Sequence, residues 1–299
     1  MTTRSTYRGR FAPSPTGPLH LGSLLAAVGS YLQARVNQGQ WLVRIEDIDP
    51  PREVPGAADD ILRTLETYGL HWDEAVLYQS DRHDAYAAAL EQLRQQQLLY
   101  PCHCSRKTIS DQARVGVAGP IYPDICRHKT PNYSPPYALR IRTGEQTIGF
   151  EDPVCGPLAQ NIHHDVGDFV LQRADGLYNY QLAVVVDDAF QGITDVVRGH
   201  DLHGLTPAQI FLQQQLGVAT PRYVHLPLLI SSQGQKLSKQ NGATAIDKHN
   251  PIPNLLKILG YLGQEPEQEL IDANLDEFWQ WAIAHWQLSR IPRHSQIPL

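Results

Sequence analysis

The spacing of apolar residues changes along the chain, and the changes mark out elements. Leu21, Leu24, Leu25, Val28 and Leu32 recur at i, i+3, i+4 and i+7, which predicts a half-buried helix with Gly39 as its stop. The stretch "WLVRIEDID" then reads as a short strand with Asp47 and Asp49 at its end. Leu62, Leu65 and Tyr68 mark a second helix closed by Gly69, and "DRHDAYAAALEQLRQQQLL" marks a third. Strand alternating with helix implies a parallel sheet with helical crossovers, an α/β architecture.

From residue 100 to about 157 the texture shifts to a segment carrying cysteine, proline and glycine. Periodicity resumes in "FVLQRADGLYNYQLAVVV", with Ala-Asp-Gly as its turn. Thr206, Pro207 and Gln209 have the form of a helix start, a threonine cap with proline in the first turn and a glutamine closing a capping box. "YVHLPLLI" reads as a buried strand, "SSQGQKLSKQNGATAI" as a polar loop, and the remainder from Pro251 as helical, with Trp279, Trp281 and Trp286.

Composition narrows the class. With 299 residues and 42% hydrophobic content, the chain has the make-up of an ordinary soluble globular protein of one large or two modest domains. Apolar runs such as residues 182–186 are far too short to cross a bilayer. No apolar core follows the first basic residues, so no leader is expected and the cytoplasm is the expected location. Four cysteines in an intracellular chain of this length do not suggest a disulfide framework. The formal net charge of −6 argues against a general nucleic-acid coat, while leaving room for a local basic patch.

Two stretches carry chemistry. In "RFAPSPTGPLHLGS" a tight turn of small residues opens directly onto a helix. Small residues let a nucleotide approach the backbone, and the N–H groups of a helix N-terminus then face its phosphates. His20 at the mouth would add a donor for charge developing on an α-phosphate. In "KLSKQ", residues 236–240, two lysines stand three apart in a glycine-flanked loop after a strand. Taken with the turn, they suit a mobile clamp on β- and γ-phosphates.

"PSPTGPLHLGS" resembles the HIGH signature of class I aminoacyl-tRNA synthetases in its glutamate and glutamine form, and "KLSKQ" resembles their KMSKS loop. "RIEDID" and "VVDDAFQGITDVVRGHDL" resemble further blocks of the glutamate enzymes, so the likeness covers nearly the whole chain. Ser23 stands where HIGH has its second histidine, and Leu237 and Gln240 depart from the KMSKS letters. The resemblance implies a Rossmann-like catalytic domain in two halves, residues 1–99 and 158–245, split by a zinc-bearing insertion at 100–157. A short helical part at 246–299 would follow, with no anticodon-binding domain, because the chain ends soon after the lysine loop.

That shortness resembles a truncated branch of the family whose members join glutamate to queuosine in the anticodon of tRNA(Asp). The expected partners are therefore ATP with Mg2+, L-glutamate and queuosine-containing tRNA(Asp), with no membrane, and the expected state is a monomer. The alternatives are a shortened enzyme charging the 3′ end of tRNA(Glu), and an idle RNA-binding remnant.

Binding glutamate requires partners for one ammonium and two carboxylates. Glu46, at the end of a strand, suits the ammonium, Arg10 and Arg198 suit carboxylates held bidentately, and Tyr180 supplies a hydroxyl. The resemblance matches all four, with Ala12 and Ser14 along the turn. It assigns ATP to Pro13, Gly17, His20, Gly22, Lys236, Ser238 and Lys239, with His20 and Lys239 acting on the reacting phosphates.

Cys102, Cys104 and Cys126 in the proline-containing segment suggest structural zinc, which usually takes four ligands. Spacing leaves His103, Tyr122, His128 and Cys155 open as the fourth; the family resemblance points to Tyr122.

Overall fold

The structure is a computed structural model and describes residues 6–116, 119–231 and 245–299. Strand β1 (Arg8–Phe11) passes through the opening turn into α1 (Leu21–Val36), and β2 (Gln40–Ile45) returns parallel to β1, with Arg8 opposite Gln40 and Phe11 opposite Val43. After α2 (Ala57–Thr67), the two-residue β3 (Leu77–Tyr78) extends the sheet in parallel beyond β2, and α3 (His83–Gln95) follows.

The next stretch is antiparallel. It comprises β4 (Leu99–Cys102), the short α4 (Arg106–Ser110), a hairpin of β5 (Arg114–Gly116) and β6 (Gly119–Ile121), and β7 (Ala138–Ile141). A second hairpin pairs β8 (Thr147–Asp152) with β9 (Gly156–Asn161), so residue 157 lies inside a strand. Strand β10 (Val170–Gln172) then joins β7, which stands between β10 and β4.

Parallel pairing resumes with α5 (Tyr180–Phe190), β11 (Asp195–Gly199), α6 (Thr206–Leu216) and β12 (Arg222–Leu226), where Arg198 sits opposite His225. The chain closes with β13 (Leu228–Ile230), α7 (Pro251–Tyr261), α8 (Leu275–His285) and β14 (Gln296–Pro298). Strand β14 pairs in parallel with β13, an element not expected in a helical tail.

Strands β1 and β11 lie side by side, joined where Thr194 N–H donates to the Arg8 carbonyl at 2.9 Å. The successors of β1 extend the sheet on one side and those of β11 on the other. That reversal is a topological switch point, where a ligand crevice opens beyond the carboxyl ends of the strands.

Helix α1 is more deeply buried than its spacing predicts. Its outer face is covered by α7 and α8, so Ala27, Val28, Gly29, Leu32 and Ala34 all lie inside. Its stop also differs in detail. Gln38 takes the left-handed conformation at φ 52°, and Gly39 is needed for a close approach: a Cβ there would stand 2.4 Å from the Tyr7 carbonyl oxygen. Among the described residues no helix is long and apolar enough to cross a membrane.

Candidate active site

A cleft of about 850 Å³ opens at the switch point. The opening turn forms one wall, and two hydrogen bonds fix it to neighbouring segments: Glu46 N–H donates to the Pro13 carbonyl at 3.0 Å and Val54 N–H to that of Pro15 at 2.9 Å. His20 is the N-cap of α1. Its Nδ1 accepts from Ser23 N–H at 3.3 Å, while Ser23 Oγ accepts from His20 N–H at 2.8 Å. The serine that replaces a signature histidine therefore orients the remaining one, and a phosphate at the helix mouth would meet that imidazole through Nε2.

Arg10, Ala12, Pro13, Ser14, His20, Gly22, Glu46, Tyr180 and Arg198 all line this cleft. Gly17 does not; with φ 130° it supplies the turn that presents its neighbours. Lys236, Ser238 and Lys239 lie outside the described residues. Where the described chain resumes, Ala245 makes an antiparallel bridge with His20, and Ile246 N–H donates to the Leu19 carbonyl at 3.2 Å.

The Arg10 end of the cleft is built on buried charge. Arg10 makes a two-point pair with Asp188, Nε to Oδ1 at 3.0 Å and Nη2 to Oδ2 at 3.3 Å. Arg44 reaches the same carboxylate at 2.8 Å and Glu46 at 3.4 Å. Burial alone would raise the Asp188 carboxyl, but Arg10 and Arg44 beside it hold it below the usual range. Burial outweighs the same two cations at Glu46 and leaves its carboxyl raised. An arriving ammonium would favour the ionised form again. Burial also raises the Tyr180 phenol, keeping it a neutral hydroxyl donor.

Arg198 is held from behind. Its Nε donates to His225 Nε2 at 3.0 Å, Nη1 to Gln209 Oε1 at 2.8 Å, and Nη2 to Thr206 Oγ1 at 2.7 Å. This corrects the expected helix start. Leu205 is the N-cap of α6, no side chain caps it, and Thr206 and Gln209 hold the arginine instead of a capping box. It also changes the expected contact with carboxylates. Arg198 spends four of its five N–H groups on the protein and keeps one, on Nη1, for a ligand, whereas Arg10 spends two on Asp188 and keeps three, two on Nη1 and one on Nη2.

Arg44, Asp188, Thr206, Gln209 and His225 were not anticipated from sequence. A signal was present for some of them. Arg44 interrupts an apolar strand and two aspartates interrupt the apolar run of α5, and charges on buried faces require partners. Asp187, the other aspartate, pairs with Arg82 at 3.1 Å and accepts from Tyr86 and Gln79, so its charge is spent locally.

The cysteines form a separate cluster. Ligand atoms of Cys102, Cys104 and Cys126 lie within 4.8 Å of one another, and the Tyr122 oxygen is 3.4 Å from Cys102 Sγ and 3.6 Å from Cys104 Sγ. Cys126 N–H donates to that oxygen at 2.8 Å, aiming it at the sulfurs. Four ligands about 2.0–2.3 Å from a tetrahedral ion stand roughly 3.5–3.8 Å apart, so this donor set fits a zinc-sized cation. His103 is committed elsewhere, to the Pro136 and Asn132 carbonyls, and Cys155 lies 3.2 Å from His200 Nδ1. Burial opposes ionisation, yet the Tyr122 hydroxyl and Arg140 pull the Cys102 thiol down to about 7, while burial pushes Cys104 up to about 11.

Residues 6–269 match the family of class I tRNA synthetases (E and Q), catalytic domain. A protein of Dechloromonas aromatica named glutamyl-Q tRNA(Asp) synthetase is 53% identical over 297 residues, covering 99% of both chains. One of that name from Chromobacterium violaceum is 51% identical over 298 residues with the same coverage. The crystal structure of a glutamate tRNA ligase from Elizabethkingia meningosepticum, in complex with its amino acid, superposes with a TM-score of 0.79 at 26% identity. The match covers 97% of this chain and 66% of that longer one.

Proposed function

Because the chain belongs to the class I tRNA synthetases of the glutamate and glutamine type, we propose that it activates L-glutamate with ATP and transfers it to queuosine in the anticodon of tRNA(Asp). One observation carries the glutamate half. Arg10 and Arg44 pair with Asp188 and Arg44 also reaches Glu46, while Arg198, held by the neutral His225, Gln209, Leu202 carbonyl and Thr206, lines the same cleft as Arg10 and Glu46. The surplus positive charge matches an amino acid with two carboxylates and one ammonium. Glutamine is neutral and would leave it buried and uncompensated. The acceptor half rests on the relatives, whose name states it and whose length this chain matches.

In this reading Glu46 receives the ammonium, Arg10, Arg198 and Tyr180 receive carboxylate oxygens, and Ala12 and Ser14 shape the turn beside them. Pro13, Gly17 and Gly22 shape the nucleotide side. The α-carboxylate attacks the α-phosphorus of ATP, an O–P bond forms, the bond to the β-phosphate oxygen breaks, and pyrophosphate leaves with Mg2+. His20 Nε2 and the α1 N-terminus stabilise charge on the α-phosphate, and Lys236, Ser238 and Lys239 act on the leaving group. A hydroxyl of the queuosine cis-diol then attacks the acyl carbon and AMP leaves. Catalysis is positioning and charge stabilisation, with no protein nucleophile.

Residues 100–157 form an insertion between the catalytic halves 1–99 and 158–245, and 246–299 the C-terminal part. Within the insertion Cys102, Cys104, Tyr122 and Cys126 hold one structural zinc. ATP–pyrophosphate exchange without tRNA tests the activation step. Glutamate should support it and glutamine should support on the order of 10³-fold less. Exchange with glutamine at a comparable rate, or none with glutamate until tRNA is added, would contradict this pocket.

A further inference from the structure

We propose that Asp152 and His225 form a positioning relay that fixes the Arg198 guanidinium, so that the β8–β9 hairpin sets glutamate affinity in a cleft it does not line. This rests on the reading of Arg198 as a carboxylate-binding group.

Strand register places His225 directly opposite Arg198 in the β11–β12 pair, and His225 is fully buried. The Arg198 Nε–H donates to His225 Nε2, so that ring nitrogen carries no proton. The proton therefore sits on Nδ1, which donates to Asp152 Oδ2 at 2.7 Å. Asp152 is itself fixed: Oδ1 accepts the Val154 and Cys155 N–H groups at 2.8 and 2.9 Å, and Oδ2 accepts His225 N–H at 2.9 Å. Those backbone donors make Asp152 an obligate acceptor, the acceptor fixes the tautomer of His225, and the tautomer fixes Arg198. Neither Asp152 nor His225 lines the cleft.

A carboxylate and two histidines (Asp152, His203, His225) with ligand atoms within 4.8 Å of one another resemble a metal site. The hydrogen bonds favour the relay. An ion on His225 Nδ1 would leave the ring proton on Nε2, pointing at the Arg198 N–H only 3.0 Å away. The Asp152 oxygens are already saturated by four donors.

Asp152 accepts three backbone N–H groups, and its fourth donor is the His225 ring. A buried charge is costly unless it is used, and here its use is to orient a second charge across two strands. With the relay intact, the one Nη1 hydrogen that Arg198 has left is aimed before glutamate arrives.

The test compares Asp152→Asn, His225→Leu, His225→Gln and Arg198→Lys in glutamate-dependent ATP–pyrophosphate exchange, with melting curves to confirm folding. Asp152→Asn turns an NH2 toward Nδ1 and reverses the tautomer; His225→Leu removes the acceptor. Each should raise the KM for glutamate about 10- to 100-fold, the scale of one charge-assisted hydrogen bond, and leave the KM for ATP unchanged. His225→Gln supplies an amide oxygen to Arg198 and should recover most of the loss. If Asp152→Asn does not fold, the contrast between the Gln and Leu variants decides. Equal KM values for those two, a parallel rise in the KM for ATP, or release of a metal ion from His225→Leu would overturn the relay. Arg198→Lys separates the two ideas: an unchanged glutamate KM there sinks the reading of Arg198 itself. A raised one beside normal Asp152→Asn and His225→Leu sinks the relay alone.

Discussion

The two polar clusters of this protein are built in opposite ways. Beside the cleft, Arg10, Arg44, Asp188 and Glu46 pair with one another across strands and helices far apart in sequence. In the cysteine cluster, three sulfurs and a phenol oxygen converge from a short stretch of chain. The first is a lattice of paired charges; the second is a set of sulfur and oxygen donors whose spacing fits a zinc-sized cation. A lattice should fail when any member is removed, because each removal strands a buried charge. A donor set should fail through loss of its ion and leave the cleft's pairing intact.

Removal of Asp188 should have the largest effect. Asp188→Ala strands Arg10 and Arg44, and unfolding in denaturant should show a loss of roughly 3–5 kcal/mol together with loss of exchange activity. A variant as stable as the parent would mean that the two arginines are not held by this carboxylate. Next in size is the loss of the ion. The protein should carry about one zinc per chain, Cys126→Ser should lose it, and Cys155→Ser should keep it, as read by metal analysis. The opposite pattern would move the fourth ligand to Cys155. Chelation should lower the melting temperature by several degrees and leave the glutamate KM unchanged.

The difference between the clusters also decides what could be read from sequence. Cys102, Cys104 and Cys126 lie close together and announce themselves by residue type. Spacing leaves His103, Tyr122, His128 and Cys155 open as the fourth ligand, and the family resemblance points to Tyr122. In the structure the Tyr122 oxygen lies beside two of the sulfurs, while His103 and Cys155 have other partners. Cleft-facing residues such as Arg10, Glu46, Tyr180 and Arg198 were legible because their motifs resemble a known family. Their supports were not. Thr206 and Gln209 carry a pattern that local rules read as a capping box, and tertiary structure uses the same side chains to hold Arg198. The parallel βα pattern was legible from periodicity, whereas the burial of α1 on both sides depends on α7 and α8, more than two hundred residues away. Strand β14 carries too few residues to show a period.

A smaller effect concerns acid. Burial, first of all, lowers the His225 imidazole to about 4 from an ordinary 6.5, and it also lowers His203. The unfolded chain therefore takes up these protons before the folded one does. Stability should decline as pH falls from about 6.5 toward 4, and the decline should be shallower in His225→Gln. An unchanged slope in that variant would mean that His225 is not held neutral by the fold.

The most direct measurement follows labelled glutamate onto RNA. Purified tRNA(Asp) with queuosine is incubated with the enzyme, ATP and labelled glutamate, then cut by nuclease into anticodon and 3′ fragments. The label should appear in the anticodon fragment, and the same tRNA lacking queuosine should accept essentially none. Label in the 3′ terminal fragment, or efficient charging of tRNA(Glu), would contradict transfer to queuosine and make this chain a shortened enzyme of the ordinary aminoacylating kind.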